Sequence, residues 1–466
     1  MSRRLNNLSM HVSVVSADNI YWPFGLKLWF ALFFAGILAA LYKAPLAAFY
    51  YIGTAFSGLI IVHSCLRLWA CLSDKPKPLI PNTATKIYPN YTVLVPLLDE
   101  AHMVPSLIEA LATLEYPHNK LQILLITEAH GLATTEAVSA FLRPPFESIV
   151  VPQGGPKTKP NALNYAMRIA RGDIVTIYDA EDHPHPLQLK QAANMLYSDA
   201  RLGAVQAPLD YYNRSETWLT QQFSLEYAGL FHVWVPFLAK LGLPFPLGGT
   251  SNHMRREALT QTGGWDAYNV TEDADLSFRL AALGWKIGYI TPPTEEEAVG
   301  AWKEWNHQRA RWMKGYMQSW LVHMSAPITP KGRSGWLRLL TLQITLGASL
   351  LAGFFHSLVI GFLMMAALFA FLNGGTINLP FLMLPTAAIS YGAGLFVVWR
   401  GAQRAGQKPK LTHIAFTPLY WLILVVPTWL ALYDLIKRPY HWRKTTHGLT
   451  HQSPELPKSE LSVSQV

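Results

Sequence analysis

Ile174-Val175-Thr176-Ile177-Tyr178 runs directly into Asp179-Ala180-Glu181-Asp182, and this junction decides the fold. An unbroken apolar, aromatic and β-branched run reads as a strand buried on both faces. Carboxylates crowded at its end repel one another unless a cation, or a polar loop capping the next helix, compensates them. In parallel α/β sheets ligands bind beyond the carboxyl ends of strands, where Asp179 falls.

Outward from this junction, short apolar runs alternate with helical patterns, the signature of a parallel sheet with crossover helices. The pattern predicts strands over residues 91–95, 121–126, 148–151, 173–178, 203–207 and 286–290, and helices over 104–114, 161–170 and 187–197. The fold class is therefore α/β, in a domain spanning residues 85–330.

This domain is inserted between transmembrane helices. Residues 24–42 and 46–72 are each long enough to cross ~30 Å of hydrocarbon and read as a hairpin, domain 24–72, after a cytosolic segment 1–23. Residues 339–372, 379–399 and 411–436 form a second apolar region, 339–436, of about three spans or interfacial segments. The first of these stretches crosses once or splits at His356, and Pro418 and Pro427 make the last a candidate re-entrant segment. The tail, 437–466, is basic and then reads as disordered.

Only 14% of the 466 residues are charged, against ~25% in soluble domains, and the 16 Trp suit aromatic membrane belts. The net charge of +9 is no nucleic-acid signal, because the basic residues flank the spans: Arg3, Arg4, Lys75, Lys77, Arg400 to Lys410 and Lys437 to Lys444. Their distribution places the central domain in the cytoplasm, under a multipass plasma (inner) membrane location. Cys65 and Cys71 build neither a disulfide framework nor a zinc motif.

Within the domain, Asp179 and Glu181 suit Mg²⁺ or Mn²⁺ bridging two phosphates, with Asp182 as third ligand or positioning group. Thr271-Glu272-Asp273 opens a helical pattern; alone it is an ordinary cap with acids in the first turn. In company with a metal site it supplies a base, Asp273 first and Glu272 second. Gln308, Arg311 and Trp312 share one helix face, Arg311 to hold a diphosphate and Trp312 to stack on a sugar ring. The stripe Trp302, Trp305, Trp312, Tyr316 and Trp320 also reads as an interfacial face against lipid. Together these motifs describe sugar transfer from a nucleotide donor. Gly154-Gly155-Pro156-Lys157-Thr158-Lys159 lacks phosphate-loop spacing, although Lys159 at a helix mouth can touch a phosphate. His183 and His185 have ligand-like spacing but no third partner.

In order along the chain, Val95-Pro96 with Asp99-Glu100, Lys159-x-x-Ala162-Leu163-Asn164, Asp179-Ala180-Glu181-Asp182-x-Pro184, Gly249-Thr250-Ser251-Asn252, Thr271-Glu272-Asp273 and Gln308-x-x-Arg311-Trp312 resemble glycosyltransferase family 2. The branch is the processive β-glycan synthases, which includes the cellulose, chitin and hyaluronan synthases. The resemblance implies a GT-A (Rossmann-like) cytosolic domain, a metal at Asp179 and Glu181, a base in Thr-Glu-Asp, and diphosphate and acceptor roles for Gln308, Arg311 and Trp312, with Thr271 beside the acceptor. It implies a hexosyltransferase that uses a nucleotide sugar, a UDP-sugar first, with a glycan or lipid-linked acceptor and accessory export proteins as candidate partners. Two positions depart from the family pattern: Glu181 replaces an Asp, and Glu128 stands where an Asp contacts the nucleotide base. The segment 442–448 is similar to the end of some bacterial members.

Single-sugar transfer to a lipid carrier is the rival within enzymes. Outside them stand a transporter, against which the few ionisable residues of the spans argue, and a nucleotide-sugar-sensing receptor, which needs no base.

Overall fold

The structure, a computed structural model, describes residues 16–18, 24–74, 88–325, 332–373, 383–440 and 450. Arg3, Arg4, Lys75, Lys77, Lys444, the segment 442–448 and the tail 451–466 lie outside the described residues.

Among the described residues ten strands form: β1 (Tyr91–Leu97), β2 (Leu121–Glu128), β3 (Phe146–Val151), β4 (Ile174–Ile177), β5 (His183–Pro184), β6 (Leu202–Gln206), β7 (Leu209–Tyr211), β8 (Asn252–Arg255), β9 (Lys286–Tyr289) and β10 (Thr294–Glu296). Seven of them make one sheet in the order β3-β2-β1-β4-β8-β6-β9, and β5-β10-β7 make a second. All six strands expected from the apolar runs are present. The sheet is mixed rather than parallel, however, because β8 runs antiparallel between β4 and β6. Asn252-His253-Met254-Arg255 carries no apolar run, and His253 is buried by satisfying its ring with the Tyr91 hydroxyl at 2.7 Å and Gln188 Oε1 at 3.2 Å. A polar strand of this kind is invisible to periodicity.

Alternation places successive residues of β1 on opposite faces. Val93 and Val95 pack against Leu107, Leu111 and Leu196 on one side. Leu94 packs on the other with Leu163, Leu276 and Leu280, in a core that also takes in Ala70 and Cys71 from the apolar helix Pro45–Leu72. The sheet's second face is therefore continuous with the hydrophobic helices. Arg404 fastens the junction, donating to the carbonyls of His232 (3.1 Å), Cys71 (3.2 Å) and Ser73.

The hydrophobic stretches form the helices Phe24–Lys43 and Pro45–Leu72, then Gly332–Leu342, a π-helical turn Gln343–Gly347, Ala348–Asn373, Met383–Arg404, and a last helix broken into Leu411–Ala415, Thr417–Ile423 and Val425–Lys437. The stretch around His356 does not split: His356 lies inside Ala348–Asn373, its Nδ1 2.6 Å from the Ala352 carbonyl. Its irregularity lies earlier, at the π-turn. Among the described residues, Gly53–Leu72, Gly335–Ser357 and Leu411–Lys437 are long and apolar enough to cross a membrane.

Past the exposed Trp302, the tryptophan stripe is largely covered by protein. Trp305 is fully buried with its ring 5.5 Å from Tyr420, and Trp320 donates to Gln343 Oε1 at 3.0 Å. The helix Trp302–Ser325 instead packs on the last helix through Met313, Met317 and Ala431.

Candidate active site

Strand β4 ends at Ile177, and the acidic loop that follows is shaped by its own side chains. The Asp179 amide donates to Asp182 Oδ2 at 2.7 Å, and the Thr250 hydroxyl donates to the same oxygen. Asp182 thus builds the loop from a fully buried position, although its Oδ1 has no hydrogen-bond partner. Burial first, and then the charge of Asp179, raises the carboxyls of Glu181 and Asp182 well above the usual range. The Lys159 ammonium pairs with Asp179 Oδ1 and donates to the Gly249 carbonyl at 2.8 Å. Burial alone would lower Lys159; Asp179, Glu272 and Asp182 outweigh it and raise it.

Thr271-Glu272-Asp273 arrives from the other side of the cleft. Thr271 stands at the N-terminus of the helix Glu272–Ala282 but makes no side-chain cap, so ordinary capping does not account for the motif. The loop before it is held instead by the helix Trp302–Ser325: Asn269 donates to Ser319 Oγ at 3.0 Å and the Val270 amide to Gln318 Oε1 at 3.2 Å. Gly315 lets the two helices close, since a Cβ there would collide with the Thr271 side chain. A Cβ at Gly249 would lie 3.5 Å from Asp273 Oδ2 and 3.8 Å from Lys159 Nζ, so Asp179, Lys159 and Asp273 meet around one glycine. Ser251, two residues on, holds φ 55°, and Asp99, between the cavity-lining Leu98 and Glu100, φ 53°; non-glycine residues in that region concentrate at functional sites.

Burial first, and then the Asp273 charge, pushes Glu272 up to about 8. Burial pushes Asp273 up to about 6, opposed by backbone N–H groups, Lys159 and Arg311. Both carboxyls are thus held above the usual carboxylate range, Glu272 further than Asp273. Burial lowers Arg311, against the charges of Glu272, Asp273 and Asp179.

Glu128, Lys159, Asp179, Glu181, Thr271, Glu272, Asp273, Gln308, Arg311 and Trp312 all line one cavity of about 1150 Å³. Asp182, of the residues singled out in the sequence, lies behind its wall. His183 contacts the Glu181 carbonyl and His185 the Leu187 amide, serving local structure. The volume exceeds the ~300–1,000 Å³ of a single small-molecule pocket. The surplus extends between the hydrophobic helices, past Ile60, Ile344 and Val397 to His356 and Tyr391.

Among the described residues no three His, Cys, Asp or Glu side chains already form a metal cage. Mg²⁺ commonly needs no such cage, taking one or two carboxylates and completing its shell with substrate phosphates and water. The crowded carboxylates of Asp179 and Glu181, both on the cavity, fit such an ion, with Asp182 supporting their loop.

Sequence reading passed over the support of Trp312. Arg309 pairs with both oxygens of Glu226, donates to the Tyr420 hydroxyl at 2.5 Å, and sits 4.3 Å from the Phe223 ring and 4.9 Å from Trp312. Only the join of three distant segments reveals it. Arg309→Met takes the cation from Glu226, which keeps the Tyr420 hydroxyl at 2.8 Å; it should cost about 3 kcal/mol, the low end for a buried pair because Glu226 is partly exposed, and lower the thermal unfolding midpoint accordingly.

The chain is 24% identical over 429 residues to beta-monoglucosyldiacylglycerol synthase of Synechocystis sp., covering 87% of this chain and 85% of that protein. It is 32% identical over 146 residues to probable glucomannan 4-beta-mannosyltransferase 3 of Oryza sativa, covering 31% of this chain and 26% of that one. Among solved structures, mannosyltransferase PcManGT from Pyrobaculum calidifontis, in complex with GDP-Man and Mn²⁺, is similar with a TM-score of 0.49 and 21% identity over 83% of this chain and 99% of that one. A family profile described as glycosyl transferase family group 2 matches residues 174–432, more than half of the sequence, from β4 through the broken last helix. The chain therefore belongs to glycosyl transferase family group 2: it is a glycosyltransferase, and its mixed α/β sheet is a GT-A fold.

Proposed function

We propose that the chain is a membrane-embedded, inverting hexosyltransferase that moves a hexose from a nucleotide sugar, a UDP-sugar first, onto an acceptor reached from the bilayer. The observation that carries this reading is the meeting of Asp179, Lys159 and Asp273 around Gly249, with Arg311 and Trp312 on the same cavity.

Asp273 is the base. Ionised at neutral pH, it takes the proton of the acceptor hydroxyl as that oxygen bonds to the anomeric carbon and the bond to the diphosphate breaks; attack opposite the leaving group inverts the centre. Arg311 and Lys159 bring positive charge to the diphosphate, Glu128 meets the nucleotide base, and Gln308, Thr271 and Trp312 flank the acceptor. Asp179 and Glu181, with Asp182 shaping their loop from behind, would hold Mg²⁺ or Mn²⁺, which when bound neutralises charge gathering on the departing diphosphate.

Transfer that needs ionised Asp273 falls as pH drops below about 6 and rises as pH increases through that value, because only the deprotonated carboxylate can accept a proton. A pH profile of kcat/KM is expected to show this acidic limb with unit slope. A rate flat from about pH 5 to 8 contradicts the assignment.

The acceptor in the first reading is a growing β-linked polysaccharide, as in the relatives named for glucomannan. Polar groups in the membrane half of the cavity, Ser349, Thr386, Ser390 and Tyr391, support it. The second is a lipid: Leu59, Ile60, Leu230, Ile344, Leu351 and Val397 line the same space and suit an acyl chain, and one relative is named a glucosyldiacylglycerol synthase. The basic residues Arg400 and Arg404 at the end of the helix Met383–Arg404, and Lys408 and Lys410 just after it, support a cytoplasmic domain under a multipass inner membrane. Incubating membranes with radiolabelled UDP- and GDP-hexoses and sizing the product tests all of this: polymer supports the first acceptor, a single-sugar lipid the second, and no labelled product from any donor overturns the proposal.

A further inference from the structure

Glu296 ends β10, in register with Tyr211 of β7. It lines the same cavity, yet the chemistry above gives it no task. Its Oε1 is shut off from solvent without a hydrogen-bond partner. Buried polar atoms are nearly always satisfied, and an exception in a ligand cavity points to the ligand.

Its surroundings narrow what that ligand is. Burial, followed by the charges of Asp182, Glu181 and Asp179, raises the Glu296 carboxyl well above the usual range, with Lys159 opposing. On its other side stand Tyr211 and Tyr227, whose phenols burial and then neighbouring groups, Glu296 among them, keep protonated. Those two rings lie 4.7 Å apart, and Tyr227 lies 6.2 Å from Trp312. Glu296 therefore occupies the ground between the acidic loop and the aromatic wall beside Trp312.

If the acidic loop holds the diphosphate end and Trp312 the acceptor, the sugar being moved lies between them. We propose that Glu296 forms a hydroxyl-binding subsite for the transferred hexose, its carboxyl bridging ring hydroxyls and so selecting among donor sugars. A further anion would be repelled by the three neighbouring acids, Asp179, Glu181 and Asp182, whereas a polyol satisfies the carboxyl in either protonation state: ionised, it accepts two hydrogen bonds; neutral, it donates one and accepts one. The subsite rests on the sugar-transfer reading.

The test uses purified full-length wild type, Glu296→Ala and Glu296→Gln. Hydrolysis and transfer are measured with the preferred nucleotide hexose and with its singly deoxygenated analogues, and binding of the nucleoside diphosphate with Mn²⁺ is measured by calorimetry. Glu296→Ala should lose ~10- to 150-fold in kcat/KM on the full donor, the worth of a hydrogen bond to a charged group, and almost nothing further on the analogue lacking the contacted hydroxyl. Glu296→Gln should retain part of the discrimination, and nucleoside diphosphate affinity should be unchanged in both, which also certifies folding. Equal discrimination in Glu296→Ala and wild type overturns the subsite, as does a fall in diphosphate affinity, which would mark Glu296 as a metal or phosphate ligand. A wild type that turns over no nucleotide hexose fails the underlying sugar-transfer reading instead.

Discussion

Asp273→Asn is expected to reduce transfer by ~10²- to 10⁴-fold, the usual contribution of a positioned base, while donor binding persists. The substitution keeps the shape and removes the only property the mechanism asks of this side chain. Around it, Lys159 and Arg311 remain to face the diphosphate, so calorimetric binding of a nucleoside diphosphate should hold. Two further signs distinguish a base from a structural acid. The acidic limb of the pH profile should vanish in Asp273→Asn, and Glu272→Gln should cost less, since Glu272, pushed up to about 8, is already protonated at neutral pH. Full activity in Asp273→Asn would remove it from the chemistry.

Arg311→Met is expected to cost ~10²- to 10³-fold in kcat, the magnitude seen when one group stabilising developing charge is deleted. Its second effect has a sign that can be worked out. The Arg311 charge pulls both Glu272 and Asp273 down. Without it each carboxyl holds its proton more tightly, so the acidic limb should move above about pH 6. Arg311→Lys should restore much of the limb's position but less of the rate, because an ammonium supplies charge without the planar fork that grips two phosphate oxygens. A loss of rate with an unmoved limb would mean that Arg311 shapes the cleft without sharing its electrostatics.

Most of what positions this chemistry can be read locally. The apolar run 174–178 marks the strand that carries Asp179, and the i, i+3, i+4 spacing of Gln308, Arg311 and Trp312 gives them a common helix face. What escaped local reading depends on distant partners. β8 is polar because His253 finds Tyr91 and Gln188 inside the core. Thr271 looks like a helix cap, but Gln318 and Ser319 hold the loop before it from another helix. The tryptophan stripe has the period of a lipid-facing helix, yet its partners are Tyr420 and Gln343. Glu296 sits among three acids in a row, Glu295-Glu296-Glu297, with nothing in the sequence to say which faces the cleft. In the fold, β10 pairs with β5 and β7, and Glu296 and Glu297, but not Glu295, line the cavity.

The proposed mechanism stands or falls on single displacement at the anomeric carbon by an acceptor that Asp273 deprotonates. The most direct measurement is the configuration of the new linkage, read by NMR on product made by the purified protein from an α-linked nucleotide hexose. A β linkage is the expected result. An α linkage, formed with retention, would contradict the account.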